Sequence, residues 1–252
     1  MKIGAQFYTL RDFCKTPEDL SATLKKVADI GYTTVQLSGV CPYEPEWIKG
    51  ELASAGLECV ITHPDTERFY EPEKLVADHK IYNCKYIGLG SMPGGARALG
   101  EFDSFVKKFL PIAKAISDNG AYLMYHNHHY EFTKDENGKR YLDKLIEAFP
   151  AEHMGFTLDT YWVQVGGGDP AKWLEDLTGR VPCIHLKDLV MNSTEQKMAP
   201  VGSGNMNFER IIASAEKAKC QYLLVEQDFC YDENPFTCLE KSYKYLSSLG
   251  LK

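Results

Sequence analysis

The chain has 252 residues, 44% of them hydrophobic, and a formal charge of −7. That is enough apolar material for one large α/β domain, while the acidic total gives no general attraction for nucleic-acid phosphates. No apolar run approaches the roughly 20 residues of a membrane span, and the N-terminal MKIGAQFYTL lacks the apolar centre of a signal peptide, so a cytoplasmic protein with no membrane partner is expected.

Short β-rich runs alternate with longer runs of helical period. KIGAQFY (2–8) reads as a strand. TPEDLSATLKKVADIG (16–31) reads as a helix, with Thr16 as cap, Pro17 in the first turn and Gly31 as stop. TTVQLSG (33–39) and EPEWIKGELASAG (44–56) form the next strand and helix, then LECVITH (57–63) and EPEKLVADHKIYNC (71–84). KYIGLG (85–90) precedes EFDSFVKKFLPIAKAISDNG (101–120), and AYLMYH (121–126) precedes a loop and KRYLDKLIEAFP (139–150). MGFTLDT (154–160) is followed by DPAKWLEDLTG (169–179), and VPCIHLKD (181–188) by a loop and NFERIIASAEKAK (207–219). YLLVEQD (222–228) leads into NPFTCLEKSYKYLSSLG (234–250).

Eight strands alternate strictly with eight helices in this reading. Alternation of this kind builds a parallel sheet with right-handed crossovers, and eight units in about 250 residues is the size of a (β/α)8 TIM barrel. An open doubly wound sheet is the alternative, but no G-x-G-x-x-G follows the first strand. GGGD (166–169) reads as a turn into a helix. No linker or low-complexity segment appears, so residues 1–252 are assigned to one domain. The eight cysteines, at 14, 41, 59, 84, 183, 220, 230 and 238, form no C-x-x-C pair and are expected to be reduced.

A barrel carries its chemistry at the C-terminal ends of its strands. Those ends offer Gln6 and Tyr8, Gln36, His63, the Gly-rich GLGSMPGG, the run His126, Asn127, His128 and Glu131, then Asp159, then His185 with Lys187, and Glu226 with Asp228. Side-chain alternation puts His185 and Lys187 on one face, and Glu226 and Asp228 on another. Asp159, His185 and Glu226 come from three consecutive strands. Two carboxylates and an imidazole suit Mn²⁺, Zn²⁺, Co²⁺ or Mg²⁺. The bland readings are a helix cap for Asp159 and a satisfied core residue for His185. Glu226 closes a buried strand and must be paired, metal-bound or shifted in pKa. His79 and His153 read as structural or surface groups, and His129 as solvent-facing or as support.

HLKD (185–188), LDT (158–160), VEQD (225–228) and VGSGNMNFERI (201–211) resemble the xylose-isomerase-like TIM barrels, a superfamily of sugar-phosphate isomerases and epimerases, inosose and dehydroshikimate dehydratases and endonuclease IV. The similarity runs from IGAQFYTLRD (3–12) to the last strand. It implies a divalent metal held by Glu, Asp, His and Glu from strands five to eight. Asp159, His185 and Glu226 match the last three. At the first position this chain has Tyr125 and His126, so Glu131, six residues beyond Tyr125, is expected to fold back as the ligand, with His126 as the alternative.

The reading that follows is a metal-dependent isomerase or epimerase of a sugar or cyclitol, acting by proton abstraction beside a carbonyl through a metal-stabilised enediolate. Glu226 or Glu131 is the expected base, with His126 or His128 next, because imidazole titrates near neutral pH. His63, His128 and Lys187 would orient hydroxyls, Gln6 would touch substrate and Trp162 would form an apolar wall. Expulsion of a β-substituent instead would make a dehydratase or lyase, including one that cleaves 3-keto-glycosides. A DNA-repair endonuclease needs further ligands and a basic surface. A non-catalytic sugar-binding or partner subunit with a relic metal site is the reading of another class. The expected partner is a small sugar or polyol, and barrels of this kind often self-associate into homo-oligomers.

Overall fold

The computed structural model describes all 252 residues. Eight strands form the closed parallel barrel: β1 (Lys2–Gln6), β2 (Thr34–Ser38), β3 (Glu58–His63), β4 (Tyr86–Leu89), β5 (Tyr122–His126), β6 (Met154–Asp159), β7 (Cys183–Leu186) and, after an inserted hairpin, β10 (Tyr222–Val225). The order around the barrel is β1-β10-β7-β6-β5-β4-β3-β2, and β1 pairs with both β10 and β2 to close it. The architecture is the expected (β/α)8 TIM barrel.

Outside the strands lie α1 (Pro17–Ile30), α2 (Pro45–Ala55), α3 (Pro72–Ile81), α4 (Phe102–Asp118), α5 (Tyr141–Ala148), α6 (Thr160–Val165), α7 (Pro170–Asp176), α8 (Phe208–Lys217) and α9 (Pro235–Ser248). Thr16 caps α1 as expected, accepting the Asp19 N–H at 3.1 Å. In α4 the buried residues Phe102, Phe105, Phe109, Ala113 and Ile116 recur every three or four positions and face the sheet. Burying each of those phenylalanines contributes about 1.5–3 kcal/mol.

Strict alternation fails at two places. Between β6 and β7 the chain makes two short helices, α6 and α7, because Asp159 starts one turn, Gly166 to Gly168 break it, and Asp169 caps the next. After β7, where a loop was expected, an antiparallel hairpin pairs β8 (Asp188–Asn192) with β9 (Glu195–Ala199). Its outer half is exposed, so it carries none of the strong apolar alternation that marks a buried strand.

The inward face of the barrel explains where chemistry can sit. Val60, Ile61, Tyr86, Met124, Cys183 and Leu224 form an apolar cluster separate from the large outer core. Met124, Cys183 and Leu224 lie two residues before His126, His185 and Glu226. Alternation therefore gives β5, β7 and β10 an apolar plug below and a polar group at the mouth.

Candidate metal and substrate site

His126 closes β5, Asp159 closes β6, His185 lies in β7 and Glu226 follows β10. One ligand atom from each lies within 4.8 Å of all the others, and all four residues are buried. His126 Nδ1 donates to the Gly90 carbonyl at 2.8 Å, which leaves Nε2 facing Asp159 Oδ2 at 3.2 Å. His185 Nε2 meets Gln36 Oε1 at 2.7 Å, and its Nδ1 lies 2.8 Å from Glu226 Oε2 and 3.8 Å from Asp159 Oδ2.

These contacts test whether a metal fits. His185 Nδ1 is a buried ring nitrogen with no aligned hydrogen bond, and it faces Glu226 Oε2 at 2.8 Å, an oxygen that Lys187 Nζ also approaches at 3.0 Å. The ring nitrogens remote from the carboxylates are already oriented, by Gly90 and Gln36. Outer partners of this sort fix the tautomer of metal-binding histidines. Two imidazoles and two carboxylates form a fitting donor set for Mn²⁺, Zn²⁺, Co²⁺ or Mg²⁺.

Asp159 also performs the bland role. Its Oδ1 accepts the Trp162 N–H at 2.9 Å and caps α6, while Oδ2 faces the cluster. Gln6 Nε2 donates to Glu226 Oε1 at 2.7 Å. The residue expected to touch substrate therefore holds a carboxylate in place.

Lys187 is buried among three acids. Its Nζ lies 3.0 Å from Asp159 Oδ2, 3.0 Å from Glu226 Oε2 and 3.1 Å from Asp228 Oδ1. Burial alone would lower its pKa, but those carboxylates outweigh burial and hold it firmly protonated. Burial likewise works against Asp159 and Glu226, and the Lys187 charge outweighs it, so both stay well below the usual carboxylate range. Asp228 is pushed up to about 6 by burial and by Glu226. The face it shares with Glu226 was legible in the alternation of its strand, but its place beside Lys187 as the third acid was not.

Glu131 does not join the cluster, and His126 occupies the place expected of it. The Glu131 Oε1 accepts the Tyr125 hydroxyl at 2.6 Å and Oε2 accepts the His128 N–H at 2.8 Å. Tyr125 faces the outer core, where its ring meets Phe105 and Phe156. A tight turn over Tyr130–Phe132 carries Glu131 back to that outer side. Burial pushes its carboxyl up to about 7. The carboxylate ties down the loop after β5.

A cavity of about 340 Å³ opens above the cluster, walled by His63, His128, Trp162, Lys187 and Ser38. Three buried polar atoms of its walls have no partner: His63 Nε2, His128 Nδ1 and Trp162 Nε1. The His128 ring stacks on Tyr130 at 5.3 Å, and burial pushes its pKa down to about 3, so it is neutral. Gly88 makes room for His63, since a Cβ there would lie 2.5 Å from His63 Cδ2. The turn GSG at 202–204 wraps a buried carboxylate. The Gly202 and Gly204 N–H groups donate to buried Asp188 at 3.0 and 2.8 Å. His79 and His153 lie away from the site; His79 is fully buried and bonded to Thr62 and Leu75.

A parallel barrel with an acid–imidazole cluster at the C-terminal ends of its strands defines a class, and comparison with known proteins narrows it. The family model for the xylose isomerase-like TIM barrel matches residues 24–235, and the chain belongs to that family. An inosose dehydratase of Geobacillus kaustophilus (strain HTA426) is 24% identical over 190 residues, 66% of this chain and 61% of that protein. The chain thus matches less than two thirds of that relative's length. A sugar phosphate isomerase/epimerase from Parabacteroides distasonis ATCC 8503 superposes with a TM-score of 0.77 at 22% identity, over 98% of this chain and 97% of that one. An L-ribulose 3-epimerase superposes with a TM-score of 0.74 at 14% identity, over 100% of this chain and 95% of the other. At these identities the structural likeness speaks for the fold. No helix is long and apolar enough to cross a membrane.

Proposed function

We propose that the protein removes a proton beside the carbonyl of a small keto-sugar or cyclitol and that a β-substituent then departs, making it a metal-dependent dehydratase or lyase. The observation that carries this reading is the single glutamate of the cluster. Glu226 faces the cavity, whereas Glu131 is engaged by Tyr125 and His128. Exchange of a proton between two glutamates on opposite faces of a sugar lacks its second glutamate here. Elimination needs one group that takes the α-proton and then gives it to the departing oxygen, so that water or an alcohol leaves and the carboxylate is restored, and a means of holding the ring.

His126, Asp159, His185 and Glu226 would hold the ion. When bound, it would supply Lewis acidity to the substrate carbonyl. Glu226 takes the α-proton at a carboxylate oxygen, with Gln6 fixing the other oxygen at 2.7 Å. Lys187 keeps its proton, and its ammonium, held among Asp159, Glu226 and Asp228, would lend positive charge to a nearby substrate oxygen. His63, His128 and Trp162 bring the unpartnered nitrogens that a polyol would satisfy. The indole and the His128 ring, 5.6 Å apart, wall one side of the sugar.

Isomerisation or epimerisation is the second reading, supported by the likeness to a sugar phosphate isomerase/epimerase. It shares the first proton transfer and differs in the proton's return. The test is incubation in deuterium oxide with Mn²⁺ and a panel of ketoses, inososes and 3-keto-glycosides. Loss of water or an alcohol with formation of an enone is expected. Deuterium exchange with every C–O bond kept would select the second reading. A protein that retains no divalent ion and exchanges no proton in any substrate would leave a sugar-binding subunit with a relic site.

A further inference from the structure

The cavity above the cluster does not end at His63. A second chamber of about 450 Å³ lies beyond it, between the loops that follow β2 and β3, and Ser38 and His63 line both. We infer that this chamber is an aglycone subsite and that the substrate is a glycoside, with its keto-sugar ring above the cluster and a second, uncharged ring beyond His63. The inference rests on the proposed reaction and names the leaving group.

Size gives the first argument. The inner chamber alone lies near the lower limit of cavities that take drug-sized ligands, on the order of 300–1,000 Å³, and has room for one sugar ring. The second chamber more than doubles that space. Chemistry gives the next. Its inner wall holds Tyr43 and Tyr82, edge to face at 6.3 Å, beside Pro42 and Pro64. Such faces suit the flat or alternating apolar surface of a ring.

The charge balance disfavours a phosphate or carboxylate as the second group. The chamber has two cations, Arg68 and Lys74, against three acids, Glu44, Asp65 and Asp78. Arg68 is already bound to Asp78 at 2.7 Å. The remaining polar signals are neutral. Tyr82 is 6% exposed, and its buried hydroxyl makes no well-aligned hydrogen bond, with the Tyr43 hydroxyl as its neighbour. His63 Nε2, at the junction, has none either. A hydroxylated ring joined through an oxygen offers groups for both: a ring hydroxyl for Tyr82 and the linking oxygen for His63.

Binding of unoxidised glycosides tests the subsite without any turnover. With the Mn²⁺-loaded protein, calorimetric titration of phenyl β-glucoside is expected to give a Kd at least tenfold below that of methyl β-glucoside. Pro42→Trp, on an exposed stretch without regular structure, should abolish that preference while leaving the methyl glucoside unchanged. Tyr82→Phe should weaken 4-hydroxyphenyl β-glucoside about fivefold relative to the phenyl compound, the worth of one neutral hydrogen bond. Equal affinities for phenyl and methyl glucoside, or no binding of the phenyl glucoside, would overturn the inference, as would an unaltered preference in both variants. A phenyl preference in a protein that exchanges no proton in any keto-sugar would overturn the proposed reaction and leave the subsite standing.

Discussion

Replacing Lys187 by methionine removes the one ammonium that Asp159, Glu226 and Asp228 share. The side chain is 1% exposed, so water cannot take over its role without opening the barrel mouth. Breaking a buried charge pair by deleting one partner costs on the order of 3–5 kcal/mol. The lower end applies here, because Glu226 keeps Gln6 and His185 while Asp159 keeps its contacts with the Trp162 N–H and His126. A cost of about 3 kcal/mol lowers the Tm of a chain this long by roughly 6–12 °C in metal-free buffer. The same substitution should tighten Mn²⁺ binding. A unit charge about 4 Å away opposes a cation by about 4 kcal/mol per positive charge at an effective dielectric of 20. Relaxation and solvent reduce that, so a gain of tenfold or more is expected, and saturating Mn²⁺ should restore most of the lost Tm. Thermal unfolding with and without Mn²⁺, together with calorimetric titration, measures both effects. A variant that melts within 2 °C of the parent without metal and binds Mn²⁺ no more tightly would refute the view that Lys187 is the internal counter-ion of these acids.

Three further outcomes follow from the same geometry. Glu226→Gln should lower Mn²⁺ content and reduce proton exchange by about 10²–10⁴-fold, as expected for loss of a general base; full metal content with full turnover would mean the site lies elsewhere. His79, fully buried, donates from Nδ1 to the Leu75 carbonyl and accepts the Thr62 hydroxyl at Nε2, and burial pushes its pKa down to about 4. The folded state thus prefers neutral imidazole. Its contribution is complete above pH 6.5 and is lost as pH falls toward 4, on the order of 3 kcal/mol in all; urea midpoints across that range measure it, and an unchanged slope in His79→Gln would reject it. Gly88→Ala would place a Cβ 2.5 Å from His63 Cδ2 and 2.7 Å from the Thr62 carbonyl. It should cost about 1–3 kcal/mol and weaken glycoside binding by displacing the imidazole, and unaltered stability and affinity would show that the ring has room to move.

The loop after β5 shows best where reading by sequence stops. Glu131 and His126 were both legible as ligating groups, because histidines and a glutamate bunched at a strand end are unusual. Which of them faces the mouth depends on a turn of three residues and on the outward-facing Tyr125 hydroxyl at 2.6 Å. Neither has a periodic signature. The hairpin of β8 and β9 escaped for a related reason, since its outer residues are exposed and no buried face imposes alternation on them.

The strands and the main helices, the closure into a barrel and the choice of Asp159, His185 and Glu226 as residues of interest were determined by the chain itself. Burial of one face writes itself into the sequence as a period of two or 3.6 residues. Tertiary structure alone decided that Lys187 sits among three acids, that Gln6 steadies Glu226, and that a second chamber opens beyond His63. Those facts depend on distances between side chains on different strands. They are set by the register and tilt with which the sheet closes, and no local pattern of residues encodes them.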